Sequence, residues 1–437
     1  MTAVRIGCGS SYAEDRVEPA AALVEHGELD VLSLDCLAER TLTHAQLRRL
    51  ADPSTGYDLR LDRLVAEVVT RCLDHGTRFV ANLGAANPVG AAERTCELLA
   101  RLGRSGARVA VVTGDDVLDR LGTFDDGSHA TAVSANAYLG AAPIVEALER
   151  GADVVIGGRI ADASLFLGPL AHAHGWGSDA WDVLAAGQTV GHLLECGTYL
   201  TGGNWHDPPV RTVARPWDLG MPFADVEADG TAVLSKLSGT GGLLTVDTCK
   251  AQLTYEIGDP SAYLTPDVVV DLTGVRLEQV GPDRVRVSGA AGRPAPATLK
   301  VLVGSSEGHL GEAEVSFAGL GAAERAQAAA ELVRCRLEQS GVVPDELRVD
   351  RVGVDASYGP ATPPPAVEPF EVRLRVAARS GDRSTVDQVL AEVDALYMYG
   401  PAGAGGVRRD VRPVLGLDTC FVPRDEVHPT VTVLEVA

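Results

Sequence analysis

The sequence predicts an α/β protein, in which a largely parallel sheet domain with helices on both faces is followed by an α+β domain. In residues 1–215, short apolar runs alternate with amphipathic stretches, which is typical of βαβ units that cover both faces of a sheet. In residues 216–437, strand patterns follow one another in runs, which favours an α+β arrangement. A Pro-, Trp- and Asp-rich connection at 205–235 separates the two patterns.

The elements of both domains are predicted from their hydrophobic period. In the first domain, we expect strands at 4–8, 30–36, 78–84, 108–114 and 153–158, and helices at 61–75, 88–102 and 136–150. In the second domain, we expect strands at 232–237, 268–280, 284–289, 298–304, 312–319, 372–379 and 430–437, and helices at 322–339 and 384–396.

The charge of the chain excludes several classes of partner. A formal net charge of −22 disfavours nucleic acid and anionic membrane surfaces. The sequence has no uninterrupted apolar run of about 18 residues, so we expect no membrane-spanning segment. Its N-terminus has no basic segment followed by a long apolar core, so we expect a cytoplasmic protein.

Neither a metal nor a cofactor is predicted. The 8 cysteines are scattered without C-x-x-C spacing, which disfavours both a disulfide framework and a zinc site. The histidines show no ligand spacing of the H-E-x-x-H kind. Gly7 and Gly9 begin a dinucleotide-binding pattern, but Tyr12 stands where the third glycine belongs. We therefore interpret these glycines as positions that need small residues.

Polar residues follow the predicted parallel strands, at the edge where sheets of this class bind ligands. Asn82 ends the third strand, and Asn87 precedes a helix-starting proline. They either present donors to a carboxylate or an oxyanion, or, for Asn87, cap the helix. Asp115 follows the fourth strand and suits either proton transfer or helix capping.

Two further stretches combine charged groups with small residues. Arg159 follows two glycines and precedes Asp162, so it either pairs with that acid or holds an anionic ligand. Glu195 is a candidate general acid/base, because burial raises the pKa of a glutamate towards neutrality. Cys196, one helical turn from His192, is either a nucleophile or an inert buried thiol.

A lysine followed by a glycine-rich run is typical of an anion-binding loop. Lys236 ends a predicted strand, and Thr240, Gly241 and Gly242 follow it with backbone donors. Asn204, in an earlier glycine-rich run, is expected to add an amide to the same site. The spacing is not that of a Walker motif, so ATP is not predicted.

The chain resembles the acyclic terpene utilisation (AtuA) family. The motifs that carry this resemblance occur in order along nearly the whole sequence: CLAERT (36–41), NLGAANP (82–88), GDDV (114–117), GGRIADAS (157–164), ECGTYLTGGN (195–204), SGTGGL (238–243), YEIGDPSAYLTPDV (255–268), APATLKV (295–301) and YGPAGAGG (399–406). The resemblance implies a catabolic setting. It also implies a small ferredoxin-like partner subunit, because many relatives carry such a domain beyond the point where this chain ends.

Together, these observations predict a metabolic enzyme for a small carboxylate or acyl-CoA. We expect hydratase or lyase chemistry without a cofactor, with Glu195 moving a proton, Arg159 and Lys236 holding an anionic group, and amide donors stabilising an oxyanion. One alternative is a non-catalytic subunit that binds an acyl intermediate. Another is hydrolysis through Cys196. In each case, we expect a homo-oligomer.

Overall fold

The computed structural model describes residues 3–124, 129, 131–363 and 367–437. The chain divides into unit 1, which comprises Met1–Gly304 and Leu417–Ala437, and unit 2, which comprises Ser305–Gly416. This division differs from the predicted boundary at 215/216. The strands at 222–226, 232–236, 276–281 and 284–288 join the sheet of the first domain. An alternating pattern cannot reveal which sheet a strand joins.

The elements are numbered in chain order. The strands are β1 (Val4–Ser10), β2 (Val31–Leu34), β3 (Arg78–Ala81), β4 (Arg108–Thr113), β5 (Ala132–Ala137), β6 (Val154–Gly157), β7 (Pro222–Val226), β8 (Ala232–Lys236), β9 (Tyr263–Leu264), β10 (Val269–Asp271), β11 (Arg276–Gly281), β12 (Arg284–Ser288), β13 (Ala291–Arg293), β14 (Thr298–Ala318), β15 (Glu346–Val352), β16 (Glu371–Ser380), β17 (Gly405–Pro423) and β18 (Thr430–Glu435).

The helices are numbered in the same way. They are α1 (Glu18–His26), α2 (Glu39–Ala51), α3 (Leu61–Leu64), α4 (Thr70–His75), α5 (Pro88–Arg101), α6 (Ala142–Glu149), α7 (Ser164–His174), α8 (Trp181–Glu195), α9 (Val246–Leu253), α10 (Ala322–Ser340) and α11 (Arg383–Tyr399). A π-helical segment, Val65–Val69, joins α3 to α4, so the predicted helix at 61–75 is confirmed as one helical stretch.

The large sheet of unit 1 is parallel at its centre and antiparallel at both edges. Its strand order is β11-β12-β8-β7-β1-β2-β3-β6-β4-β18. The pairs β1–β2, β2–β3, β3–β6 and β6–β4 are parallel, whereas β7, β8, β11, β12 and β18 pair antiparallel. The predicted α/β class is confirmed, with a mixed sheet around a parallel centre.

Helices cover both faces of the parallel centre. Val31 of β2 belongs to the core cluster that includes residues of α6, α7 and α8. Its neighbour Leu32 belongs to the opposite cluster, which includes residues of α1 and α5. Because successive side chains of a strand point to opposite faces, both faces are buried and the strands have continuous apolar sequences.

Gly7 and Gly9 of β1 allow this close packing. A Cβ atom added at Gly7 would lie 2.8 Å from Leu29 Cδ1 and 2.9 Å from Leu23 Cδ2. At Gly9, it would lie 2.7 Å from Leu34 Cδ1. The two glycines are therefore explained by packing, as the sequence interpretation proposed.

Unit 2 has the β-α-β-β-α-β order of a ferredoxin-like fold. Its sheet has the strand order β15-β16-β14-β17, with α10 after β14 and α11 after β16. Its own core includes Phe317, Leu374, Val333 and Val389, each fully buried. The family resemblance implied a domain of this kind only beyond the C-terminus, whereas the structure has one at Ser305–Gly416.

Several predicted elements differ from the observed ones. β5 was not predicted, and the helix predicted at 136–150 begins at Ala142 because residues up to Ala137 belong to β5. The two strands predicted at 298–304 and 312–319 are one strand, β14. β18, predicted in the second domain, pairs with β4 of the large sheet. Within the described part of the chain, the helices are too short or too polar to cross a membrane.

Candidate active site

Unit 1 contains a cavity of ≈ 330 Å³, a volume within the range of small-molecule sites. Its walls come from α8, from the segments that follow β5 and β6, from residues 256–266, and from the start of β14. The apolar lining includes Ile257, Leu264, Pro266, Leu299 and Phe421. The polar lining includes Glu39, Tyr138, Asp162, Gln188, His192, Glu195, Glu256, Tyr263 and Lys300.

One face of α8 supplies the polar centre of this cavity. Gln188, His192 and Glu195 lie at i, i+4 and i+7, which places them on the same side of the helix. His192 Nδ1 lies 3.0 Å from Glu195 Oε1, and both residues are buried. The carboxylate thus fixes the imidazole, with Nδ1 as the hydrogen-bond donor and Nε2 as the remaining nitrogen.

The Glu195 carboxylate also sets the proton affinity of His192. Burial lowers the pKa of His192, but the hydrogen bond and the negative charge of Glu195, with smaller contributions from the backbone of Gln252 and Leu253, outweigh this and raise the pKa above 6.5. Among the described residues, none forms a hydrogen bond with His192 Nε2. The Tyr263 ring packs against the imidazole with 5.6 Å between centroids. A buried imidazole with one nitrogen held and the other unpaired is suited to proton transfer.

Arg159 is already paired with a carboxylate. Its guanidinium is buried, donates to the Asp162 carboxylate and to the Leu37 carbonyl at 2.9 Å, and stacks over the Tyr138 ring at 4.4 Å. Asp162 lines the cavity, so Arg159 lies behind the cavity wall and neutralises the charge of Asp162. Of the two interpretations of this arginine, the ion pair with Asp162 is the observed one.

Asn82 and Asp115 connect strand ends behind the cavity. Asn82 Nδ2 donates to Asp35 Oδ1 at 2.6 Å, and its Oδ1 accepts the Cys36 amide at 2.6 Å. Asp115 Oδ2 accepts the Arg159 amide at 2.8 Å and Asn136 Nδ2 at 2.9 Å. These bonds tie the ends of neighbouring strands together, so both residues support the cavity wall from behind.

Burial also shifts the proton affinities of the two acids in this layer. It raises the pKa of Asp35 to about 6, although the nearby Arg159 charge and the Asn82 hydrogen bond act in the opposite direction. Burial likewise raises the pKa of Asp115 above 3.8. Neither acid is among the described residues that line the cavity.

Two predicted amide ligands lie away from the cavity. Asn87 is the N-cap of α5, where its side chain accepts the Gly90 amide at 3.1 Å and donates to the Thr55 carbonyl at 2.8 Å. The capping interpretation of Asn87 is therefore the observed one. Asn204 is exposed in a turn after α8.

The predicted anion-binding loop is likewise internally satisfied. Lys236 Nζ lies 3.2 Å from Asp283 Oδ2 and 3.3 Å from the Thr240 hydroxyl. The amides of Gly241 and Gly242 donate to the carbonyls of residues 218 and 214, each at 2.7 Å. The donors of this loop are therefore bonded to protein groups. The lysine on the cavity wall is Lys300.

Cys196 follows α8 directly but has the wrong protonation state for a nucleophile at neutral pH. Burial, with a further contribution from the Glu195 charge, raises the pKa of Cys196 to about 12. The thiol therefore keeps its proton, and the thiolate that attacks a carbonyl is scarce.

Sequence reasoning found Glu195 and Asp162 on the cavity wall but missed most of their neighbours. Glu39, Tyr138 and Lys300 come from distant parts of the chain, and Tyr138 donates to Glu39 at 3.1 Å across 99 positions. The available signal was the helical spacing of three polar residues within the apolar stretch of α8. Among the described residues, no cluster of His, Cys, Asp and Glu has the arrangement of a metal site.

Comparison with known proteins points to one family. No match was found among curated proteins. A solved structure, the de novo designed protein Ferredog-Diesel, is 19% identical in sequence, with a TM-score of 0.17, and the match covers 24% of this chain and 86% of that one. The model of the acyclic terpene utilisation family protein AtuA matches residues 4–433. The chain therefore belongs to the acyclic terpene utilisation family AtuA.

Proposed function

We propose that this protein is an enzyme that adds or removes water at a carbon next to an activated position, using His192 as the general acid/base. The observation that carries the proposal is the His192–Glu195 pair on the cavity wall, with Nδ1 held at 3.0 Å from the carboxylate. The proton-transfer role predicted for Glu195 thereby passes to His192, and Glu195 orients and charges it.

The proposed reaction needs no oxidant, reductant or second substrate other than water. In the dehydration direction, Nε2 of neutral His192 takes the proton from the carbon next to a carbonyl, and the C–H electron pair forms the new double bond. The C–O bond of the neighbouring hydroxyl breaks, and protonated His192 returns the proton to the departing oxygen, so that water leaves. Hydration is the reverse sequence.

The rest of the cavity favours a mainly apolar substrate with one activated end. Ile257, Leu264, Pro266, Leu299 and Phe421 provide hydrocarbon surface for a branched chain. Family membership supports an acyclic terpenoid chain or a related branched one.

Lys300 supplies a cation for the activated end. It is exposed on the wall, with Nζ 4.8 Å from the centre of the Tyr138 ring. It suits a carboxylate or a thioester carbonyl, because its charge stabilises the enolate oxygen that develops during proton removal. Lys300 thus takes the role that the sequence interpretation gave to Arg159 and Lys236.

The proposal is tested by incubating the purified protein with branched hydroxyacyl and enoyl compounds, as free acids and as coenzyme A thioesters. Mass spectrometry then detects the loss or gain of water. We expect interconversion of at least one pair, abolished in His192→Asn and retained in His172→Asn, whose histidine is exposed on α7. Binding without any change of mass would support the alternative of a non-catalytic subunit.

A further inference from the structure

The His192–Glu195 pair lies in the last turn of α8, where a helix leaves backbone carbonyls without an intrahelical partner. The amide that would close this turn on the His192 carbonyl is that of Cys196, but it donates to the Leu194 carbonyl instead. The shape of the turn matters for the pair, because residues at i and i+3 meet only while the turn stays helical. Since helix ends fray, the turn needs a partner from another part of the fold.

Gln252 of α9 supplies this partner. Its side-chain Nε2 donates to the His192 carbonyl oxygen at 2.8 Å, and the residue is fully buried. A buried carbonyl that loses its donor is strongly unfavourable, because no water replaces the bond. The bond therefore holds the last turn of α8 in its helical form against α9.

The end of α9 also acts on the imidazole itself. The backbone of Gln252 and that of Leu253, the last residue of α9, raise the pKa of His192 in smaller measure than Glu195 does. Backbone carbonyls at the C-terminal end of a helix favour a cation, which accounts for the direction. The neighbours of the imidazole are thus the Glu195 carboxylate of α8, the Tyr263 ring of β9 and the end of α9, and Glu195 is the charged one among them.

We infer that Gln252 is a positioning residue for the proposed reaction: by donating to the His192 carbonyl, it keeps the last turn of α8 helical and thereby keeps His192 and Glu195 in contact. The inference rests on the proposed function, because the pair that Gln252 holds is the one proposed to move the proton. Gln252 is not among the described residues that line the cavity. It therefore acts through His192 and not on the substrate.

The inference is tested first without turnover, by NMR titration of the His192 imidazole in the full chain. Gln252→Met keeps the length of the side chain but has no donor, and Gln252→Asn keeps the amide but is shorter by one methylene. Both variants should lower the pKa of His192, as Glu195→Gln does, because the carboxylate no longer stays in contact with the imidazole. Gln279→Met should leave this pKa at the wild-type value, because Gln279 donates to the Gly281 carbonyl at 2.7 Å, away from α8.

A double variant separates positioning from a general loss of stability. When Glu195→Gln is already present, Gln252→Met should lower the pKa of His192 little further, because no carboxylate remains to be held in contact. In turnover, we expect Gln252→Met to lower kcat by about 10- to 100-fold while KM stays within about 3-fold, because the change displaces the proton-transfer group and leaves the substrate contacts in place. Gln279→Met should keep both wild-type values.

An unchanged pKa of His192 in whichever Gln252 variant folds would overturn the inference, because a merely structural glutamine lowers stability alone. An equally large drop with and without Glu195→Gln would also overturn it, since Gln252 would then act independently of the pair. The proposed function fails separately. If the pKa of His192 depends on Gln252 as expected but no compound changes mass, Gln252 still positions the pair, and the dehydration is removed.

Discussion

At the scale of single residues, the proposed chemistry of the cavity depends on how Glu195 changes the pKa and the tautomer of His192. Burial alone would make the imidazole a weak base, because a buried cation loses its hydration. The carboxylate at 3.0 Å reverses this effect and raises the pKa of His192. The same contact selects the tautomer with the proton on Nδ1, which leaves Nε2 without a proton when the imidazole is neutral. Glu195 is therefore a positioning residue with an electrostatic role.

Replacing Glu195 with glutamine should lower the pKa of His192, measured by NMR titration of the imidazole. The pH profile of turnover should shift to lower pH by the same amount. The matched control is Glu256→Gln, which removes another carboxylate from the cavity wall and should leave the pKa of His192 near its wild-type value. Equal pKa values of His192 in the wild type and in Glu195→Gln would contradict this account.

The same substitution should change stability in a pH-dependent way. Because the folded pKa of His192 lies above the unfolded value of about 6.5, the pair stabilises the fold fully below that pH, and this stabilisation is lost as the pH rises through the folded pKa. We expect Glu195→Gln to be less stable by about 1.5–3 kcal/mol in the acidic range, with a smaller difference in alkaline buffer. Urea unfolding at several pH values measures it.

At the scale of elements, α8 must lie close to its neighbours to bring His192 to the cavity. A Cβ added at Gly191 would lie 2.5 Å from the Ala163 carbonyl oxygen, in the segment that precedes α7. Ala163 itself lines the cavity, so the contact at Gly191 sets the distance between two of its walls.

Gly191→Ala should therefore lower both the stability of the fold and the turnover. We expect a loss of about 1–3 kcal/mol from overpacking, although alanine is the better helix former by about 1 kcal/mol. Turnover should fall more than in Gly122→Ala, where an added Cβ meets nothing within 4 Å. The measurements are thermal unfolding and turnover of the two variants. Equal melting temperatures and equal turnover would show that the contact at Gly191 is unimportant.

The secondary-structure elements also show which parts of the fold could be predicted from the sequence. The central strands β1–β4 and β6 were predictable because strands buried on both faces have continuous apolar sequences. β5 was missed although residues 133–137 alternate apolar and polar, because its apolar positions are mostly alanine, which is depleted in strands. The middle of β14 (GSSEGHLG) was interpreted as a break, but pairing with β16 from His309↔Ser380 onward keeps it extended. Long-range pairing of this kind has no local signal.

The candidate site was predictable to a similar degree. Asp162 and Glu195 stood out because they are charged residues within apolar stretches. Lys236 and the Gly241–Gly242 amides were assigned to a ligand because their protein partners, such as Asp283 for the lysine, come from other segments. For Arg159, the sequence offered Asp162 as a partner beside a ligand, and the structure has the pair with Asp162. A sequence shows which polar groups need a partner, and only the fold shows whether the protein provides it.

At the scale of the whole molecule, the two units have separate hydrophobic cores. The cluster of unit 2 consists of residues from β14, β16, α10 and α11, including the fully buried Leu374. The clusters of unit 1 surround the large sheet and include Leu193 of α8. Because each core is contiguous in itself, each unit is expected to open as its own cooperative unit.

Leu374→Ala should thus destabilise unit 2 selectively, by about 2–5 kcal/mol. Hydrogen exchange followed by mass spectrometry should show faster exchange in β16, α10 and α11, with unchanged protection of α8. Leu193→Ala, the counterpart in unit 1, should give the reverse pattern. Loss of protection in both units from either substitution would mean that the two units unfold together.

The central claim is that His192 moves a proton at carbon within the cavity. The most direct measurement is the incorporation of deuterium from D₂O next to the carbonyl of a bound hydroxyacyl compound, followed by mass spectrometry. We predict incorporation by the wild type and by His172→Asn, and a rate about 10²- to 10⁴-fold lower for His192→Asn. Incorporation at the wild-type rate by a folded His192→Asn protein would contradict the account.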